Sequence, residues 1–235
     1  MRRGTARALR IGGVVPFTTT DYPGKLAAVL FLQGCPWRCG YCHNPHLHAS
    51  RGDHEHDWMQ TLRWIGRRRG LLDAIVFSGG EPTWQPALAT SMRTIRRMGF
   101  AVGLHSGGAY PRRLAVVLPD VDWIGFDFKA PFGEYQALTG KKGSGAAALA
   151  SLDAVLASGV SHEIRTTIHP ALTSTSALLA MADALAARGV TDWVLQPFRT
   201  LGCANESLVA TGAGEALDPA LLARLVCRVP GTSIR

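Results

Sequence analysis

Nowhere does the chain approach the roughly 18 consecutive apolar residues that a membrane-spanning helix requires, so no membrane partner is expected. The basic stretch Met1–Arg10 is not followed by an apolar run or a small-residue cleavage site, which argues against a secretory leader. A flexible basic N-terminus over residues 1–10 and a cytoplasmic location are the expectations. Acidic residues are scarce, with 17 Asp and Glu against 25 Lys and Arg and a formal net charge of +8. No nucleic-acid-binding motif accompanies this excess, and no nucleic-acid partner is expected. The densest basic run, Arg67–Arg69 with Arg63 a turn earlier, reads as the solvated face of a helix; docking of an acidic protein or electron donor is the second reading. Long Pro/Gly/Ser linkers and internal repeats are also missing. The 235 residues, 47% hydrophobic, are therefore read as one domain spanning 1–235.

Cysteine is rare as well: there are five, an odd number, and three of them fall between positions 35 and 42. A disulfide scaffold would spread an even set along the chain, so this clustering points to a metal in a reducing compartment. Cys203 and Cys227 stand alone and read as small buried residues.

What the chain does contain is a repeated rhythm of apolar run, Gly-rich or polar turn, and amphipathic helix. Strands are expected at Leu26–Leu32, Ala74–Phe77, Ala101–Leu104, Val121–Phe128, Glu163–Ile168, Trp193–Gln196 and Ser233–Ile234. Helices are expected at Trp58–Arg69, Pro86–Met98, Pro111–Leu118, Ala146–Ala157, Ser174–Arg188, with Gly189 at its C-terminal cap, and Pro219–Cys227. Alternation of this kind implies right-handed crossovers and a parallel sheet. About six strong units fit a partial, open (β/α)6 TIM-like barrel, with an open doubly wound sheet as the alternative. In either fold the segments beyond the strand ends, Gln33–Asn44, Ser78–Pro82, His105–Gly108, Asp127–Lys129 and Gln196–Arg199, converge on one mouth.

The first of these segments holds Cys35-Pro-Trp-Arg-Cys39-Gly-Tyr-Cys42, a C-x3-C-x2-C spacing. Three thiolates on one loop suit three corners of an iron–sulfur cube and leave one iron open for chemistry. A structural zinc site completed by His43, His46 or His48 stays open, although no second Cys-x2-Cys knuckle exists. A redox pair of Cys39 and Cys42 fits less well, because it leaves Cys35 without a role. In the second segment, Gly79 and Gly80 let a ligand lie against bare backbone and Glu81 offers an acceptor for an ammonium group; the bland alternative is a simple turn. Alternation puts Asp127 and Lys129 on one side of their strand, either as an ion pair or as contacts for hydroxyl and carboxylate groups. His54, His56 and His105 read as surface or satisfied core histidines.

With Tyr41 before the last cysteine, the motif resembles that of the radical S-adenosylmethionine superfamily. The resemblance implies one [4Fe–4S] cluster on Cys35, Cys39 and Cys42, and S-adenosylmethionine chelating the free iron. On the same footing Tyr41, Cys42 and His43 would flank the adenine, and Gly79, Gly80 and Glu81 the methionine amino group. Asp127, Lys129 and Arg165 would face the cofactor, with Ser106 and Gln196 as weaker candidates. Reductive cleavage of the cofactor to a 5′-deoxyadenosyl radical is the implied activity, with no catalytic side chain beyond these.

The flanks narrow the resemblance. Asp21-Tyr-Pro-Gly24, Cys42-His-Asn-Pro45, Ser78-Gly-Gly-Glu-Pro-Thr83, Gly107-Gly-Ala-Tyr-Pro111, Asp127-Phe-Lys-Ala-Pro131, Arg165-Thr-Thr-Ile-His-Pro170 and Gln196-Pro-Phe-Arg199 together look like the activating proteins of anaerobic ribonucleoside-triphosphate reductase, from about residue 11 onward. That likeness implies a glycyl radical enzyme as partner, a flavodoxin- or ferredoxin-type reductant, and a site open enough to admit a loop of another protein. Two departures stand out. There are no further cysteine clusters, so no auxiliary cluster is expected, and His105-Ser106 replaces the Thr-Asn type of pair found in many relatives. A 7-carboxy-7-deazaguanine synthase-like enzyme is the second reading, disfavoured by His43-Asn44 after the last cysteine. An electron-transfer or structural iron–sulfur protein is the third, and it would not need Glu81, Asp127 and Lys129 beyond strand ends.

Overall fold

A computed structural model describes residues 8–52, 55–212, 214 and 216–235. The chain opens with an antiparallel pair, β1 (Ile11–Thr18) and β2 (Ala27–Leu32), followed by α1 (Trp58–Gly66), β3 (Ala74–Gly79) and α2 (Leu88–Arg97). Next come β4 (Ala101–Ser106), α3 (Pro111–Val117), β5 (Trp123–Asp127), the short α4 (Tyr135–Thr139) and α5 (Ser144–Ser158). The rest is β6 (Ser161–Ile168), α6 (Thr175–Ala186), β7 (Asp192–Pro197), α7 (Glu206–Ala210), α8 (Pro219–Val226) and β8 (Gly231–Ile234). All eight strands lie in one sheet in sequence order, and β2 to β8 run parallel. Among the described residues β1 and β8 do not pair, so the sheet curls into an open barrel whose six central strands are the expected units.

Period-two alternation divides each strand between two layers. Leu30, Ile75, Phe77, Val102, Leu104, Ile124, Phe126 and Ile164 point outward into the core beneath the helices. The opposite set, Val29, Ala74, Val76 and Trp123, points inward and is joined by Tyr22. Tyr22 belongs to the Asp21-Tyr-Pro-Gly24 turn, which folds inward between β1 and β2 and stacks its ring on Trp123 at 5.1 Å. This aromatic pair is the floor of the barrel lumen; above it the inward positions become polar.

β1 was not expected from the sequence. Its run Ile-Gly-Gly-Val-Val-Pro-Phe-Thr carries two glycines and a proline, and its register against β2 breaks twice. Such interruptions suit an edge strand, where proline leaves no ladder bond unmade. Gly12 lies close under two side chains: a Cβ there would lie 2.4 Å from Gln33 Nε2 and 2.5 Å from Leu47 Cδ2, so both would have to shift. Of the basic N-terminal segment, Leu9 is buried and the Arg10 N–H donates to Gln85 Oε1 at 2.9 Å, while residues 1–7 lie outside the described set. Helix α1 stops at Gly66 rather than Arg69, because Arg67 to Gly70 turn into β3. Cys227, expected to be buried, is exposed at the end of α8, on the side of the helix where Ala223 and Arg224 are also exposed. No helix among the described residues is long and apolar enough to cross a membrane.

The lumen floor is testable. Tyr22→Ala removes the ring from Trp123 and is expected to cost about 3 kcal/mol, lowering the thermal midpoint by roughly 6–12 °C, whereas Tyr22→Phe leaves it nearly unchanged. Thermal unfolding followed by circular dichroism reads the difference.

Candidate functional site

The cysteine loop follows β2 without secondary structure of its own until a single turn at Pro45–Leu47. Backbone bonds from its neighbours hold it: Gly34 N donates to Leu47 O at 2.8 Å, Cys35 N to His48 O at 3.2 Å and Arg38 N to Thr139 O at 2.8 Å. The segment after β7 presses on its far side. His43 stacks on Phe198 with ring centres 5.4 Å apart and donates through Nε2 to Arg199 O at 2.7 Å. Gly202, at φ +83°, sits so close that a Cβ would lie 2.4 Å from His43 O. Cys203 is half-buried here, its Sγ 3.9 Å from Gly40 O, so it packs against the cysteine loop rather than in the general core.

The end of β3 abuts the same loop. Gly79 has φ +121°, and a Cβ on it would meet Leu32 N at 2.1 Å; one on Gly80 would meet Gly34 O at 2.5 Å. The glycines thus allow the approach of two backbones, and both also border the cavity described below. Glu81 then turns inward and is buried. Its carboxylate accepts from Thr83 N and Oγ1 at 3.1 and 2.6 Å, from Ser106 Oγ at 2.9 Å and from Gly107 N at 3.1 Å. Burial pushes its pKa up, and these four donors partly restore the charged form.

On the opposite wall, Asp127 and Lys129 do share one side of β5's end, with Nζ 3.3 Å from Oδ2. Arg165, from β6, donates to Asp127 Oδ1 through Nε at 3.1 Å and Nη2 at 2.8 Å. Burial works against the Asp127 charge, but Lys129 and Arg165 outweigh it and hold the carboxyl well below the usual range. The Lys129 ammonium also lies 5.7 Å from the centre of the Tyr41 ring. Arg165 has room because Gly125 carries no side chain; a Cβ there would lie 2.6 Å from its Cζ.

His105 is a satisfied core histidine, as one of the two expected readings held. Its Nε2 lies 2.8 Å from Asp21 O and 3.2 Å from Arg165 Nη1. One ring nitrogen cannot serve both contacts: carrying the proton, Nε2 donates to the Asp21 carbonyl, the shorter of the two, and Arg165 Nη1 is then a neighbouring charge rather than a hydrogen-bond partner. Burial, then the Arg165 charge, pull its pKa down to about 4. Its partner is a backbone carbonyl of the lumen floor, which no sequence spacing reveals. His56 pairs through its backbone with Ile11, and His54 lies outside the described residues. The Arg63 to Arg69 run is a solvated face, with Arg68 stacked on Trp64 at 3.8 Å.

These walls enclose one cavity of about 540 Å³. Cys35, Cys39, Cys42, Tyr41 and His43 line it from the cysteine loop, Gly79 to Glu81 from β3, and Ser106, Asp127, Lys129, Arg165 and Gln196 from β4 to β7. Every residue that the resemblance assigns to the cluster or the cofactor borders this space; of the alternative zinc ligands, His43 and His48 border it and His46 does not. The sequence did not single out Asp21, Thr167, Arg199 and Leu201, which border it too.

Three free thiols on one wall fit an iron–sulfur cluster by their chemistry. Burial pushes the Cys35 thiol up to about 12, so a thiolate here calls for a cationic centre beside it. Among the described residues no three His, Cys, Asp or Glu side chains gather as ligands of a single ion, whereas a cubane takes each thiolate on a different iron.

An open parallel barrel with three thiols at its mouth defines a class of protein, and sequence comparison gives the same answer. The chain belongs to the Radical SAM superfamily, which it matches over residues 29–182. Within that family it is similar to glycyl-radical enzyme activating enzymes. A protein so named from Methanocaldococcus jannaschii is 35% identical over 54% of this chain, which spans only 52% of that relative's length. The pyruvate formate-lyase-activating enzyme of Clostridium pasteurianum is 30% identical over 82% of this chain and 83% of its own length. Among solved structures, SuiB of Streptococcus suis bound to its precursor peptide superposes with a TM-score of 0.63 at 12% identity, covering 86% of this chain and 46% of that one.

Two outcomes follow from the Asp127 wall. Gly125→Ala drives a methyl into the Arg165 guanidinium and is expected to cost about 1–3 kcal/mol in denaturant unfolding. His105 binds its proton less tightly folded than unfolded, so between about pH 6.5 and pH 4 stability falls on acidification, by up to about 1.4 kcal/mol per pH unit. His105→Gln removes that slope, read as the difference between the two proteins in denaturant titrations across the window.

Proposed function

We propose that this chain is a radical S-adenosylmethionine enzyme that activates a glycyl radical enzyme, with anaerobic ribonucleoside-triphosphate reductase as its target. The observation that carries this is the cavity itself: three free thiols on one wall face Glu81, Asp127, Lys129 and Arg165 on the others. Cys35, Cys39 and Cys42 would hold a [4Fe–4S] cluster, and the remaining walls would hold S-adenosylmethionine. Bound there, they would supply radical chemistry: one electron from the reduced cluster would break a C–S bond of S-adenosylmethionine, methionine would leave, and the 5′-deoxyadenosyl fragment would take a hydrogen atom from a glycine α-carbon and depart as 5′-deoxyadenosine.

The chain's own residues bind and orient. Glu81, kept in place by Thr83, Ser106 and Gly107, sets an acceptor edge at the end of β3 for an ammonium group. Asp127 is held ionised and accepts ribose hydroxyls, while Lys129 offers its charge to a carboxylate. Arg165 fixes Asp127 from behind, and neutral His105 adds no second positive charge there. Tyr41, Cys42 and His43, which border the same cavity, would flank the adenine, with Gln196 as a further contact to the cofactor. The flanking segments from Asp21 to Arg199 favour the reductase, and the clostridial relative favours pyruvate formate-lyase as a second target.

Reconstitution with iron and sulfide under anaerobic conditions, then dithionite and S-adenosylmethionine, is expected to yield 5′-deoxyadenosine, with Cys39→Ala at background. No nucleoside from the wild-type protein would sink the reading. Electron paramagnetic resonance after mixing with each candidate partner is expected to show a glycyl radical on the reductase; a signal on the lyase alone transfers the assignment.

A further inference from the structure

The cysteine loop has two sides with different demands. Hydrogen-atom transfer needs direct contact with the substrate, so a glycine must enter the cavity on the inner side. An electron can tunnel through a thin layer of protein, with a rate that falls exponentially with distance. A reductant therefore needs only the outer side of the same loop, and that side carries a distinct group of charges.

Arg38 lies between Cys35 and Cys39 and is exposed. Its Nη1 donates to Cys35 O at 2.7 Å and Trp37 O at 2.9 Å, which fixes the guanidinium on the outside of the loop. Its backbone N–H donates to Thr139 O at the end of α4. The turn that follows, Gly140-Lys141-Lys142-Gly143, packs on it, with a Cβ at Gly140 placed 3.9 Å from Arg38 Cβ. Lys141 and Lys142 are both exposed, and among the described residues no carboxylate pairs with them or with Arg38. Three cations without acidic partners thus cover the back of the thiol loop, Arg38 one residue from Cys39.

The richer basic run at Arg67 to Arg69 is in the wrong place. It follows α1 at the end of the barrel where β3 begins, and Arg69 Nε reaches Met98 O just before β4. The cysteine loop lies beyond the other end of these strands, and a six-residue strand is about 20 Å long.

Taking the thiol loop to be the cluster site proposed above, we infer that Arg38, Lys141 and Lys142 form the docking surface for an acidic one-electron carrier protein. One electron leaves the carrier, which is oxidised by one unit, and enters the cluster; no bond or proton moves on this chain. Fixed charge of one sign beside the redox centre raises the encounter rate of a carrier of opposite sign and orients it. Because the inner side stays free, the carrier and the glycine-bearing partner can be bound together.

The test uses the reconstituted protein and an acidic flavodoxin as probe. Lys141→Glu with Lys142→Glu is compared with Arg67→Glu plus Arg69→Glu, which changes net charge equally at the remote face. Bleaching of the cluster by flavodoxin hydroquinone is expected to slow on the order of tenfold at low salt in the lysine variant and hardly in the arginine variant. Titration with oxidised flavodoxin should show the same order of affinities. Equal slowing in both variants, slowing in the arginine variant alone, or no change in either overturns the surface. Dithionite bypasses docking and is expected to reduce all three proteins alike. If it yields no 5′-deoxyadenosine from the wild type, the cluster reading fails instead, which keeps the two failures apart.

Discussion

The site rests on the contact of two backbones. The cysteine loop has almost no regular structure, yet three thiols must stay in register for a cluster. Gly79 and Gly80 allow β3 to press directly on Leu32 and Gly34, and Glu81 N closes the contact by donating to Gly34 O at 2.8 Å. No side chain separates the loop from the sheet, so the rigidity of a buried parallel strand passes to it undiluted. On the other flank Gly202 permits an equally close approach to His43. The loop is clamped between glycines, and this main-chain contact adds to the packing of Trp37, Tyr41 and His43 in removing its freedom.

Charge is arranged around this clamp in two different ways. Glu81 is surrounded by neutral donors, so burial dominates and its carboxylate is raised toward the protonated form. Asp127 sits between two cations and stays ionised despite its surroundings. Two carboxylates on opposite walls of one cavity thus differ in character because one is solvated by hydroxyl and amide dipoles and the other by full charges. His105, kept neutral beside Arg165, limits the positive charge on that wall.

Much of this was legible in the sequence because the relevant signals are local. The apolar runs at Ala74–Phe77, Ala101–Leu104 and Val121–Phe128, with helix patterns between them, gave the parallel units, and a strand end followed by Gly, Ser or Asp marked each wall of the cavity. The spacing of Cys35, Cys39 and Cys42 carried its own chemistry. What stayed hidden depends on pairs distant along the chain. β1 reads as broken because Gly12 answers to Gln33 and Leu47, not to strand propensity. The role of His105 requires knowing that the Asp21–Gly24 turn folds into the lumen. Cys227 was misplaced because a lone cysteine has no periodic partner to say which face it occupies.

The same irregular β1 has a consequence for solubility. A barrel that stops short of closure exposes two free strand edges, each a template for pairing with another chain. Here the β1 edge is interrupted by Pro16 and two register breaks, and His56 covers it at Ile11 through an antiparallel bridge. It offers no long regular ladder to a ninth strand. The features that disguised β1 as a loop therefore let the molecule keep an open side without becoming adhesive.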